Sequence, residues 1–287
     1  MLNTLRYAFY LLVVVLFIGC STPKEGAEDK TIYVTINPFK VLAEELTCGD
    51  MRVEVLVPKG ASPETFEPTA RQIAELNDAE LCFKVGLLDF EQTLATLLDD
   101  NVRSVDLSAG IEPLGGCCSH AHHEGHIHGI DPHIWTSPRE LGVAVGNMHR
   151  AIKALYPDSL KYDRAAEKLL ERIALLDAEC STKLRESDVK ALMIYHPAFT
   201  YYAKNYAIEQ IAVEHEGKEP TPRRLATLVD KARSGGVKTI FHQPQYSPDK
   251  LAAIASECGA EVVVIDPLAD DILAEIERLT TIICGQE

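Results

Sequence analysis

Six of the chain's ten histidines fall within residues 117–135, which read C-C-S-H-A-H-H-E-G-H-I-H-G-I-D-P-H-I-W. His120, His122, His123, His126 and His128 lie on a run punctuated by Gly and Ser, without hydrophobic period, which predicts a loop. Neutral imidazole is the commonest metal ligand near pH 7, so this composition points to several weak, exchangeable metal contacts. The adjacent Cys117 and Cys118 are either additional soft ligands or redox-labile thiols. His133 is different. It stands in D-P-H-I-W, directly before Ser137-Pro138-Arg139-Glu140, which has the form of a capping box with proline at the first helical position. A histidine held at a helix start is an ordered ligand. The loop before it is a collector.

The elements that must position such ligands alternate. Short apolar, β-branched runs at 31–36, 53–57, 81–85 and 102–106 predict four strands, and runs at 189–195, 209–213, 237–241 and 261–265 predict four more. Helical patterns separate them, which predicts parallel sheets of the α/β class. Between the two groups, residues 159 to about 186 carry Leu169, Leu170, Ile173, Leu176 and Leu184 on one stripe. At 1.5 Å per residue that is a rod of roughly 40 Å. The expected architecture is two Rossmann-like lobes, over 31–158 and 188–287, joined by a rigid helix over 159–187 with a cleft between them.

In open parallel sheets ligands bind beyond the carboxyl ends of the strands. The 53–57 strand leads into the loop holding Glu64, the 189–195 strand ends on His196, and the 261–265 strand ends on Asp266. Together with His133, these give two imidazoles and two carboxylates drawn from both lobes, a set suited to a borderline divalent metal. His242, at the end of the 237–241 strand, is either a further ligand or a strand-end hydrogen-bonding group.

The first 19 residues carry Arg6 ahead of an apolar run over 8–18, too short to span a bilayer comfortably, and end before Cys20 in F-I-G-C. This resembles a bacterial lipoprotein signal, in which Cys20 is lipidated. An ordinary secretory signal or an uncleaved anchor would also export the chain. Residues 21–30 are small and polar, a tether. The net charge of −15 argues against nucleic acid and anionic membrane surfaces as partners and is compatible with a cationic ligand. Cys82 and Cys180 fall on apolar faces and are expected in the core. Cys258 and Cys284, near the ends of two helical patterns, are candidates for a disulfide.

Five ordered motifs, D-P-H-I-W-T-S-P (131–138), E-P-T-P-R-R-L (219–225), P-Q-Y-S-P (244–248), G-A-S-P-E-T-F-E-P (60–68) and I-D-P-L (265–268), make the chain similar to the metal-binding lipoproteins of ABC importers, specifically the zinc-uptake type. The resemblance implies metal ligation by His133, His196 and Asp266 between the lobes. It also implies a monomer that is lipid-anchored to a bacterial membrane, faces the periplasm or cell exterior, and delivers metal to an ABC permease. Family members usually carry histidine where this chain has Glu64. Zinc-type members have histidine at the position of His196 and a His-rich loop, as here. Two carboxylates and two imidazoles also suit manganese or iron. Metal competes with protons on imidazole, so affinity is expected to fall below a pH of about 6.5. A zinc hydrolase with Glu64 as general base is the rival from another class, although no H-E-x-x-H pair or Ser, His, Asp set accompanies it. An adhesin built on the same fold is the third.

Overall fold

The computed structural model describes residues 30–115, 129–214, 220–247 and 249–285. Cys20 and its signal, the tether, Cys117, Cys118 and the five loop histidines lie outside the described residues. Strands β1 (Thr31–Val34), β2 (Arg52–Val55), β3 (Leu81–Lys84) and β4 (Arg103–Asp106) form a parallel sheet in the order β2-β1-β3-β4. Strands β5 (Ala191–Ile194), β6 (Glu209–Ala212), β7 (Thr239–His242) and β8 (Glu261–Val264) repeat that topology as β6-β5-β7-β8. The chain therefore contains two Rossmann-like lobes, each with its strand order reversing between the first and third strands, where ligand crevices open.

In the first lobe, helices α1 (Pro38–Leu46), α2 (Ala70–Asn77), α3 (Asp89–Leu97) and α4 (Pro138–Leu155) cover or flank the sheet. The spine is α5 (Leu160–Glu186). Its buried residues, Tyr162, Ala166, Leu169, Ile173, Leu176, Cys180 and Leu184, recur every three or four positions and so form one stripe. After it come α6 (Thr200–Asn205), α7 (Pro222–Ser234), α8 (Asp249–Cys258) and α9 (Ile272–Ile283). The spine packs on α1 and α4 from one side of the sequence and on α9 from the other. One apolar core accordingly runs from β1 through the spine to α9, while a smaller one sits within the second lobe. Each fully buried Leu or Ile of the stripe stabilises the fold by about 1.5–3 kcal/mol.

Helix α4 starts with Pro138 at its first turn, but the capping box expected at Ser137 and Glu140 does not form. Asn205 at the end of α6 donates to both Ser137 Oγ (2.9 Å) and Glu140 Oε2 (2.7 Å), so a tertiary contact takes both groups. Cys82 and Cys180 are buried. Cys258 and Cys284 stand as free thiols because they belong to different apolar clusters, Cys258 to the small core of the second lobe and Cys284 to the main one. Among the described residues no helix is long and apolar enough to cross a membrane.

Buried hydrogen bonds join the 134–136 turn of the first lobe to the second. Trp135 Nε1 donates to Pro267 O (2.7 Å) and Thr136 Oγ1 to Ala198 O (2.7 Å). Asn37, three residues beyond β1, donates to Leu268 O at 3.0 Å. Trp135→Phe keeps an aromatic ring but loses the indole N–H and leaves the Pro267 carbonyl unpaired, which is expected to cost about 1–3 kcal/mol of unfolding free energy in a urea titration. A loss below about 0.5 kcal/mol would show that water replaces the bond at no cost.

Candidate metal centre

Glu64 sits in a 3-10 turn, Pro63–Thr65, on the loop between β2 and α2. Proline and the extended Ser62 before it fix that turn, which aims the carboxylate into the cleft rather than along a helix. His133 precedes a second 3-10 turn, Ile134–Thr136, whose residues are all buried. His196 follows β5 by two residues and is 6% exposed; His133 is 5% exposed. The three side chains converge. One donor atom from each lies within 4.8 Å of the others. His133 Nε2 and His196 Nε2 are 3.4 Å apart, His196 Nε2 is 3.3 Å from Glu64 Oε1, and His133 Nε2 is 3.7 Å from it.

The three donor atoms are close enough together to surround a single small ion. A tetrahedral ion with bonds of about 2.0–2.1 Å needs donors about 3.3–3.4 Å apart. Two of the three spacings match the tetrahedral edge and the third is wider.

Each imidazole is aimed by a buried carboxylate. Asp131 Oδ1 accepts from both the main-chain N–H and the ring Nδ1 of His133, each at 2.8 Å. Glu214 Oε1 accepts from His196 Nδ1 at 2.5 Å. With Nδ1 protonated on both rings, both Nε2 atoms face the cluster in the tautomer that metal ligation requires. Burial pushes the His196 imidazole toward its neutral form, yet the carboxylates of Glu214 and Glu64 outweigh that and hold its pKa at about 10, so a metal ion must displace a proton from Nε2 and that competition extends above the pH of about 6.5 expected of an ordinary imidazole. Three carboxylates around two imidazoles form a cluster built to hold positive charge. Ser62, Pro63, Trp135, Gln245, Tyr246 and Leu268 complete the walls of the cleft.

Asp266 does not join this group. Its Oδ1 accepts from Leu268 N (3.0 Å), and it lines an adjoining cavity that shares Pro63, Gln245 and Leu268 with the cleft. β8 is the outer strand of its sheet, so its exit lies one strand further from β5 than the exit of β7 does. His242 is buried, its Nδ1 donates to Gln243 O (3.1 Å), and it too stands outside the group, which favours the strand-end hydrogen bond. His149 pairs with Asp163 (2.9 Å) between α4 and α5. The sequence reading missed Asp131, Glu214 and Gln243. For Asp131 a signal existed, since an Asp two residues before a ligand can reach back to its ring and backbone.

A family model for the periplasmic zinc-uptake complex component A, ZnuA, matches residues 32–278. The zinc-binding lipoprotein AdcA of Streptococcus pneumoniae serotype 4 is 26% identical over 272 residues, covering 90% of this chain and 54% of AdcA. The chain thus spans about half the length of the streptococcal relatives it matches. A putative metal-binding protein of Chlamydia muridarum is 24% identical over 278 residues, 94% of this chain and 98% of its own length. The crystal structure of ZnuA superimposes with a TM-score of 0.80 at 30% identity, covering 90% of this chain and 99% of ZnuA. A zinc-bound ZnuA deletion mutant does so with a TM-score of 0.79 at 30% identity, covering 90% of this chain and 98% of the mutant. From β1 to the last helix, in topology and in sequence, this chain belongs to the periplasmic zinc-uptake component A family.

Proposed function

We propose that this protein captures zinc outside the cytoplasm, held to a bacterial membrane by a lipid on Cys20, and delivers the ion as a monomer to an ABC-type permease. The observation that carries this is the convergence of Glu64 Oε1, His133 Nε2 and His196 Nε2 at near-tetrahedral spacing, each ring held by its own carboxylate. Glu64 takes the place of the histidine usual in the family and supplies an oxygen donor. Asp266 is the carboxylate proposed to complete the site when metal is bound. Zinc is favoured over manganese or iron because the chain belongs to the zinc-uptake family and two imidazoles with carboxylate oxygens form a donor set that zinc accepts in four-coordinate sites. Glu64 argues against a hydrolase. A general base must stand behind a metal-bound water, and Glu64 Oε1 instead lies 3.3 and 3.7 Å from the two ring nitrogens, within the donor set itself.

The loop histidines His120, His122, His123, His126 and His128 are proposed as the collector that raises the local zinc concentration. Deleting residues 117–129 is expected to leave one tight site while abolishing the weaker equivalents, as read by equilibrium dialysis against zinc. Loss of the tight site would contradict that division. In cells, deletion of the gene is expected to arrest growth under a zinc chelator, with rescue by the wild-type chain but not by His133→Ala. Normal growth of the deletion strain would remove the import role and favour an adhesin.

A further inference from the structure

The segment that follows β7 supplies none of the three clustered donor atoms, yet it holds one of the proposed ligands on two sides. His196 leaves β5, and Gln243 leaves β7, the strand paired with β5 at the point where the strand order reverses. The Gln243 side chain, 2% exposed, grips the His196 peptide unit from both ends. Its Oε1 accepts from His196 N (3.2 Å) and its Nε2 donates to His196 O (2.6 Å). A primary amide offers a donor and an acceptor side by side in that arrangement; an ionised carboxylate can accept but not donate. A turn closed by Tyr246 N donating to Gln243 O (3.1 Å) then brings the Tyr246 ring back over the imidazole. The two rings are stacked, with centroids 5.7 Å apart and planes at 24°. Tyr246 also packs on Tyr195 (4.8 Å), is half-buried, and forms part of the cleft wall.

We propose that Gln243 and Tyr246 are positioning residues that lock His196 in its ligating orientation and thereby set the rate at which bound metal leaves. The proposal rests on His196 being a ligand. The imidazole has two ways to leave the cluster: its backbone shifts, or its ring rotates. Gln243 opposes the first and Tyr246 the second. Metal release requires a ligand to swing away, so loosening either hold is expected to accelerate dissociation more than it reduces the number of ions bound.

The test uses the purified full chain loaded with zinc and mixed with a chromophoric chelator in a stopped-flow instrument. Tyr246→Ala is expected to release zinc about 10–100-fold faster, the range typical of outer-sphere changes at metal sites, while still binding one zinc tightly. Tyr246→Phe, which keeps the ring, is expected to stay within about twofold of wild type. Gln243→Glu is expected to release zinc as fast as Gln243→Ala, because the lost donor cannot be replaced by a carboxylate. Wild-type release from Tyr246→Ala would overturn the proposal, as would equal acceleration in Tyr246→Ala and Tyr246→Phe. The Tyr246 pair keeps the test decisive if the Gln243 variants fail to fold. A wild-type chain that holds no zinc would instead overturn the metal-capture function itself, and the positioning role with it.

Discussion

His196→Ala is expected to weaken the tight zinc site by more than about 100-fold, beyond the range for outer-sphere partners, whereas His122→Ala leaves it within about twofold. The asymmetry follows from what each side chain touches. His196 Nε2 stands 3.4 Å from its partner imidazole and 3.3 Å from Glu64, and its Nδ1 is committed to Glu214. Alanine there removes a donor and also leaves the buried Glu214 carboxylate without its partner. His122 lies in the proposed collector loop, where four other imidazoles can take its place. Competition against a chelator of known affinity reads both variants. The single tryptophan, whose ring lies 5.0 Å from that of His133, supplies an independent fluorescence signal. Equal losses in the two variants would place the tight site elsewhere.

The largest effect expected away from the site is at Glu91. This residue is 2% exposed on the first turn of α3, and its carboxylate accepts from the backbone N–H groups of Val85 (2.8 Å), Gly86 (2.7 Å) and Leu88 (3.3 Å). It therefore closes the loop that leaves β3. Burial raises its pKa, and hydrogen bonds from Thr35 and those three N–H groups offset part of that shift. Glu91→Ala strands several buried donors at once, each worth about 1–3 kcal/mol, so a loss of about 3 kcal/mol or more in urea unfolding is expected. The loop has no slack to recover elsewhere. Gly86 takes φ +93°, and a Cβ there would sit 1.7 Å from Asp106 Oδ1, so Gly86→Ala is expected to damage the same turn. A loss under about 1 kcal/mol for Glu91→Ala would show that water reaches the stranded donors.

The strands were legible as short, mostly apolar runs, each ending at a polar, charged, Pro or Gly residue. Most were read one to three residues too long, while the 53–57 run began one residue late and the 237–241 run stopped one residue short of β7's end. The 31–36 run, for example, pairs only over Thr31–Val34, since Thr35 and Ile36 already turn into the loop before α1. The spine was legible from its stripe. Two helices carried little signal: α3 has Leu88 at its N-cap in place of Ser, Thr, Asp or Asn, and α6 is only six residues long. At the site, the strand-exit rule selected Glu64 and His196 by position along the chain, and the D-P-H-I-W helix start selected His133; the structure brings the three together. The strand-exit rule has no knowledge of side-chain direction. Asp266 satisfies the rule, yet its carboxylate caps the Leu268 N–H beside the cleft. Glu214 and Gln243 are supports whose partners lie 18 and 47 residues away, a relation that only the folded lobes create.

The proposed role turns on one ordered zinc site, and the most direct measurement is metal content with competitive titration of the purified chain against zinc, manganese and iron. One tightly held zinc per chain, with weaker additional equivalents lost on removing residues 117–129, is the predicted result. A tight preference for manganese or iron would contradict it and make Glu64 the residue that sets selectivity. The absence of any tight site would contradict metal capture itself.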